Sequence, residues 1–351
     1  MEHRRSAAGC RAAGDAEGDR GQERRALRSG RRGLRATSGH RVRRGPGIRG
    51  RRPRRGIPCS RHDHARSVGE WGVRRSVSQH GGAAPAGLER WFDLIGAVSR
   101  LREIRALAGF TRIQPLPVSA DRIIEELANG RISPLSTQPP TWLPGADIRG
   151  EGIFLRFRAD AVRNWIGQNP AVTDRARVLD EQHREFAARR GYEVEYPITP
   201  RLLLVHSFAH ALIRQLAVDC GYSSSALRER LYVAEPNEDR DTMQGVLVYT
   251  GSPDSEGSLG GLVRLAEPVQ LEAIVRRTVR ALQWCPNDPV CSETDPAATG
   301  ELVSGAACHS CLLVPETACE KFNRELDRMV LVGPPQGGWK GFFDGLEEPG
   351  A

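Results

Sequence analysis

The residues best placed for chemistry in this chain are its cysteines. Five of the eight, Cys285, Cys291, Cys308, Cys311 and Cys319, fall in one C-terminal stretch, and Cys308-His309-Ser310-Cys311 forms a CxxC knuckle. Thiolates two residues apart can reach one tetrahedral Zn2+ from a single tight turn, and a second pair closes the four-coordinate shell. Cys285 and Cys291 can supply that pair, because the sixteen residues between Cys291 and Cys308 add only a logarithmic entropy cost. The expected ligands are Cys285, Cys291, Cys308 and Cys311, with Cys319 and His309 in reserve, so five thiols compete for four positions. Four thiolates leave no open coordination position, so the Zn2+ is expected to be structural rather than catalytic.

A second set of donors is less patterned. His206 and His210 stand four apart on an expected helix, as metal-binding histidines do, but the Glu that follows the first His in a zinc protease is missing. The loop Gly251 to Gly261 carries Asp254 and Glu256 between a strand and a helix, where phosphate-binding loops sit. It has no Gly-Lys-Ser/Thr, and its carboxylates would repel a phosphate. No Gly-x-Ser-x-Gly elbow or HExxH occurs either, so no known catalytic pattern is present. The enzyme alternative is a metal-dependent nuclease or hydrolase using His206, His210, Asp254 and Glu256. The bland alternatives are buried, hydrogen-bonded histidines and a glycine turn.

The elements that must position these groups follow from periodicity. Leu94, Val98, Leu101, Ile104 and Leu107 recur at helical spacing and predict an amphipathic helix over residues 91–107. A short helix is expected over 121–127, a strand over 152–158, a short helix over 160–166 and an exposed helix over 171–190. The apolar run Leu202 to Val218 predicts a largely buried helix. Ser223 to Ser225 offer N-caps for a short helix over 227–231, Gly245 to Thr250 reads as a buried strand, and a helix is expected from Glu267 to Trp284. The fold class is α+β or α/β: helix-rich, with a small central sheet and a C-terminal cysteine lobe.

Composition divides the chain further. Residues 1–85 hold 22 Arg against 7 acidic groups, which leaves 29 basic and 36 acidic groups in residues 86–351. Basic character belongs to the leader and not to the body. Runs such as Arg51-Arg52-Pro53-Arg54-Arg55 bury too little surface to offset ordering entropy, so the leader is expected to be disordered. Three origins compete for it: a basic arm for phosphate contacts, a transit peptide, or translation upstream of the true start or in a foreign frame. Asp15, Glu17, Asp19 and Glu23 argue against a transit peptide, and the Lys-free composition favours the last. A standalone nucleic-acid binder acting through this leader is a third functional reading. No apolar stretch reaches membrane length, and clustered cysteines without a secretory signal fit a reducing cytoplasm. The expected divisions are 1–85, a helical region with short strands over 86–200, a metal-binding domain over 201–332 and a flexible tail over 333–351.

Several motifs, in order, resemble a known family. They are His206-Ser207-Phe208-Ala209-His210, Cys220-Gly221-Tyr222-Ser223, Leu227-Arg228-Glu229-Arg230-Leu231-Tyr232, Tyr249 to Gly261, and Ala307-Cys308-His309-Ser310-Cys311. Together they resemble the MrfA-like zinc-binding domain, found in some DNA helicases and in helicase-partner proteins. Gly257-Ser258-Leu259-Gly260-Gly261-Leu262 and Pro315-Glu316-Thr317-Ala318-Cys319-Glu320, followed by Asn323 and Leu326-Asp327-Arg328, look most like the DrmB group of the DISARM anti-phage system. The resemblance covers roughly residues 94–332. It implies zinc binding by Cys285, Cys291, Cys308 and Cys311, and a non-catalytic accessory role beside a DNA helicase partner. Apart from the resemblance, Arg264, Arg324 and Arg328 are the candidates for DNA contact, but the acidic body gives no general attraction and a protein partner is the firmer expectation. DrmB-like proteins are considerably longer, so the chain is expected to be the C-terminal part of one, with the leader in place of the missing region.

Overall fold

The computed structural model describes residues 79–107, 109–110, 129–130, 132–138, 142–190, 194, 196–235, 242–251, 260–298 and 303–346. The expected leader, the short helix over 121–127, and Asp254 and Glu256 lie outside these residues, apart from 79–85. A five-stranded antiparallel sheet organises the rest in the order β1-β2-β5-β7-β6. Its strands are β1 (Gln79–Gly82), β2 (Phe92–Ala106), β5 (Gly145–Phe157), β6 (Leu227–Ala234) and β7 (Met243–Thr250). The short strands β3 (Gly109–Phe110) and β4 (Ser133–Pro134) pair separately. Six α-helices complete the described part: α1 (Ala159–Gln168), α2 (Pro170–Arg190), α3 (Pro200–Cys220), α4 (Gly261–Leu265), α5 (Pro268–Leu282) and α6 (Met329–Val332). The fold is α+β.

Two elements differ from their sequence periodicity. Residues 92–106 form a strand and not a helix, paired with β5 along its length. Register shifts between Phe92 and Leu94, and between Val98 and Leu101, put residues three apart on one face of the sheet. Phe92 and Ile95 enter the main core, whereas Val98 and Leu101 pack on the opposite face with Leu247 and Tyr249. Two bulges thus imitate a helical repeat. Residues 227–231 likewise form part of β6, because their alternation is completed by a hairpin partner, β7.

The other expectations that fall within the described residues hold as elements. The buried helix is α3, whose Thr199 hydroxyl caps it by accepting from Leu202 N at 3.2 Å, with Pro200 in the first turn. It ends at Gly221, held in the left-handed region at φ 70°. The helix α2 is charged but not wholly exposed, since Val172, Ala176, Leu179, His183 and Phe186 line a buried stripe. The C-terminal segment is not a flexible tail up to residue 346. Phe342, Phe343 and Leu346 are buried, and the indoles of Trp91 and Trp165 donate to the carbonyls of Phe342 and Lys340. Apolar area explains this: Phe343 stacks within 5.3–6.3 Å of Phe92, Phe157 and Phe208 at the centre of the core. No helix among the described residues is long and apolar enough to cross a membrane.

Candidate metal centre

Four of the five clustered cysteines converge. Cys285 follows the last turn of α5, Cys291 closes the turn after it, and the 308–311 knuckle folds against both. Their sulfurs all lie within 4.8 Å of one another, with Cys285–Cys308 at 3.5 Å and Cys291–Cys311 and Cys308–Cys311 at 3.7 Å. These separations are too long for a disulfide, where sulfurs sit about 2.05 Å apart. They match the edges of a tetrahedron around Zn2+, about 3.8 Å for Zn–S bonds of about 2.3 Å. Amide donors point at the sulfurs, Asn287 N at Cys285 (3.4 Å) and Cys308 N at Cys311 (3.3 Å).

As thiols, four sulfurs this close cannot ionise independently. The hydrogen bond from Cys291 holds Cys311 down to about 5 against its burial. Burial first pushes Cys285 up to about 11, and the hydrogen bond to Cys311 together with burial pushes Cys291 up strongly. A soft divalent cation relieves the conflict, because it stabilises all the thiolates at once. The donor set fits zinc.

The lobe is braced from two sides. Arg328, fully buried, donates to Leu282 O at 2.8 Å and pairs with Asp288 at 2.6 Å. Asp288 in turn accepts from the amides of Cys285 (2.8 Å) and Ser292 (3.0 Å). Arg328 is therefore committed to the lobe's interior, which corrects its expected place as a DNA contact. From α3, Arg214 donates to the carbonyls of His309 (3.1 Å), Ser310 (2.9 Å) and Leu313 (2.9 Å) and so grips the knuckle. Neither brace is visible from sequence spacing, since each partner is tens of residues away.

Cys319 and the two histidines meet elsewhere. His206, His210, Cys319 and Glu229 of β6 form a second buried group whose donor atoms lie within 4.8 Å of one another. Burial disfavours a charged His206, but the Glu229 carboxylate and Cys319 outweigh it and hold its pKa well above the usual range. Burial would raise Glu229, yet the two histidines hold it far below the ordinary carboxylate range. Asp254 and Glu256, the partners expected for these histidines in the enzyme alternative, lie outside the described residues. Glu229 was missed because 227–231 read as a helix. As a strand, its alternation puts Glu229 on the same face as Leu227, toward α3.

The glycine loop also acquires a partner at its helical end. Glu151, buried on β5, accepts from Gly260 N at 2.6 Å and Leu262 N at 2.9 Å. A carboxylate of the chain itself thus takes the amide donors at the start of α4.

Two comparisons agree with this arrangement. The MrfA Zn-binding domain family matches residues 208–312, the stretch from α3 through the knuckle. The DISARM protein DrmB of Bacillus paralicheniformis is 35% identical over 264 residues, which cover 75% of this chain and 45% of that protein. The chain thus spans less than half the length of the curated relative it matches. With the four-cysteine centre and both matches in place, the chain belongs with the MrfA-like, DrmB-like proteins that carry this zinc-binding domain.

Proposed function

We propose that the chain is a DISARM-related accessory module in which Cys285, Cys291, Cys308 and Cys311 hold one structural Zn2+, and which docks on a DNA helicase in anti-phage defence. The convergence of four sulfurs into a closed tetrahedral set carries this reading. All four positions are taken by protein, so the ion's contribution is folding energy and shape and not an activated water. The family match and the similarity to DrmB support the DISARM context. Trp284 and Val290 stand exposed at the rim of the cysteine lobe, 68% and 80% accessible, and offer an apolar surface to a protein partner. DNA contact, where it occurs, falls to Arg264 and Arg324 and not to Arg328.

The test uses the full chain and a DISARM helicase. The purified chain is expected to carry zinc and to co-elute with the helicase on size exclusion. Cys308→Ser with Cys311→Ser should lose the all-sulfur zinc and co-elution, and Trp284→Ala should lose only co-elution. A chain that binds no zinc, or whose all-sulfur zinc signal persists in the double variant, would overturn the ligand assignment. Unchanged elution of helicase and chain on mixing would overturn the partnership.

A further inference from the structure

We propose that His206 Nε2, His210 Nε2, a carboxylate oxygen of Glu229 and Cys319 Sγ hold a second, structural Zn2+ that ties α3, β6 and the loop after residue 315 together. Four elements of chemistry lead there, and none depends on the four-cysteine centre or on a helicase partner. The first is distance. Glu229 Oε1 lies 3.2 Å from His206 Nε2 and 3.6 Å from His210 Nε2, and Cys319 Sγ lies 3.3 Å from His206 Nε2. Tetrahedral edges of about 3.3–3.8 Å follow from Zn–N and Zn–S bonds of about 2.0–2.3 Å.

The second is tautomer. His206 Nδ1 faces Glu325 O at 3.2 Å and His210 Nδ1 faces Leu312 O at 3.0 Å. A carbonyl can only accept, so each Nδ1 carries its proton, and Nε2 is the atom that turns a lone pair inward when the ring is neutral. This is the orientation in which zinc-bound histidines are held, with the outer nitrogen donating to a backbone carbonyl. The third is the surplus of acceptors. His210 Nε2 and Glu229 Oε2 are buried without a hydrogen-bond partner, in a group whose side chains are almost wholly inaccessible. A single shared proton on His206 would serve only its own contacts and leave both atoms unsatisfied, at about 1–3 kcal/mol each. A divalent cation is able to satisfy the whole set, and its charge cancels one carboxylate and one thiolate.

The fourth is the thiolate's own environment. Cys319 Sγ accepts from Lys321 N and Asn323 N, both at 3.2 Å. The donor two residues on repeats the Cys285–Asn287 pattern at the four-cysteine centre. Mixed imidazole, thiolate and carboxylate donors suit Zn2+ and disfavour Mg2+ or Ca2+, which take oxygen ligands. His206 and Cys319 lie outside the 208–312 stretch of the family match, so that match assigns them nothing.

The experiment counts metal on the intact chain by native mass spectrometry and elemental analysis. It then reads the average ligand set by X-ray absorption at the zinc edge, which needs no variant to fold. Two zinc ions per chain, with about 2.5 sulfurs and about 1.5 nitrogen or oxygen neighbours each, are expected; the cysteine centre alone gives about 4 sulfurs. Cys319→Ser and Glu229→Gln should each lower the count from two to one and leave an all-sulfur spectrum. One zinc in the unmodified chain, with an all-sulfur spectrum, overturns this site and leaves the four-cysteine reading standing. One zinc with nitrogen neighbours, retained in the Cys308→Ser, Cys311→Ser double variant, supports this site and overturns the other. No zinc at all overturns both.

Discussion

Arg328 shows how a residue's role can invert between sequence and structure. On the sequence it is one basic group in a Leu-Asp-Arg tail, but its guanidinium is wholly buried and joins the end of α5 to the turn that carries Cys285. Breaking a fully buried pair costs about 3–5 kcal/mol, and this pair sets that as an upper bound because Asp288 is partly exposed and keeps two amide donors. Arg328→Met should therefore lower the unfolding free energy from urea titration by up to that amount, while leaving α3 and the sheet intact by far-ultraviolet circular dichroism. His183 makes a different prediction. Burial lowers its pKa first, and Arg324 and Lys321 add to this against the carboxylates of Glu325 and Asp180. The unfolded chain therefore takes up this proton at higher pH than the folded one. The stability it contributes is complete above about pH 6.5 and is lost as pH falls toward the lowered folded value. His183→Gln should flatten that part of the stability profile, measured by urea unfolding at constant free zinc between pH 7.5 and 5.5.

Among the elements, α3 does the most positioning. Its residues at 206 and 210 face the loops that contain Leu312 and Glu325, and at 214 it holds three knuckle carbonyls. Outer groups of this kind set metal affinity by about 10–100-fold. Arg214→Gln should thus raise zinc release to a competing chelator by that factor, with little change in secondary structure; an unchanged chelator titration would show that the knuckle holds its own shape. This helix was legible in the sequence, because seventeen residues from Leu202 to Val218 are too long for a strand and too apolar for the surface. The four-cysteine centre was legible for a related reason: paired thiols announce themselves by spacing. The strand β2 was not, since its two bulges leave apolar residues three apart, and local periodicity cannot separate that from a helix. Glu229 was hidden by the same error one hairpin later. A charged residue inside a strand looks like surface until its long-range partners, 19 and 23 positions earlier, are known.

At the scale of the whole molecule, segments far apart in sequence meet in one aromatic core. Phe92 of β2, Phe157 of β5, Phe208 of α3 and Phe343 near the C-terminus have ring centroids 4.8–6.3 Å apart. Truncating a buried Phe costs about 3–5 kcal/mol, a large part of the stability of an ordinary domain. Phe343→Ala should accordingly lower thermal stability more than any exposed substitution in the cysteine lobe, and calorimetry of the zinc-loaded chain would read it directly. The close approach at Gly341 reinforces the point. A Cβ there would meet the backbone of Leu331 and Gly333 at 2.5 Å, so Gly341→Ala is expected to dislodge the same segment.

The bond from the Trp91 indole to the Phe342 carbonyl spans 251 positions. During synthesis, the sheet and α3 emerge long before Phe342 and Phe343, and the core stays open until those residues follow. A chain stopped before Phe342 would leave the rings of Phe92, Phe157 and Phe208 without their cover, with apolar surface for chaperones and proteases to recognise. The segment carrying Phe342, Phe343 and Leu346 acts as a late seal: the aromatic core closes only once that segment has been made.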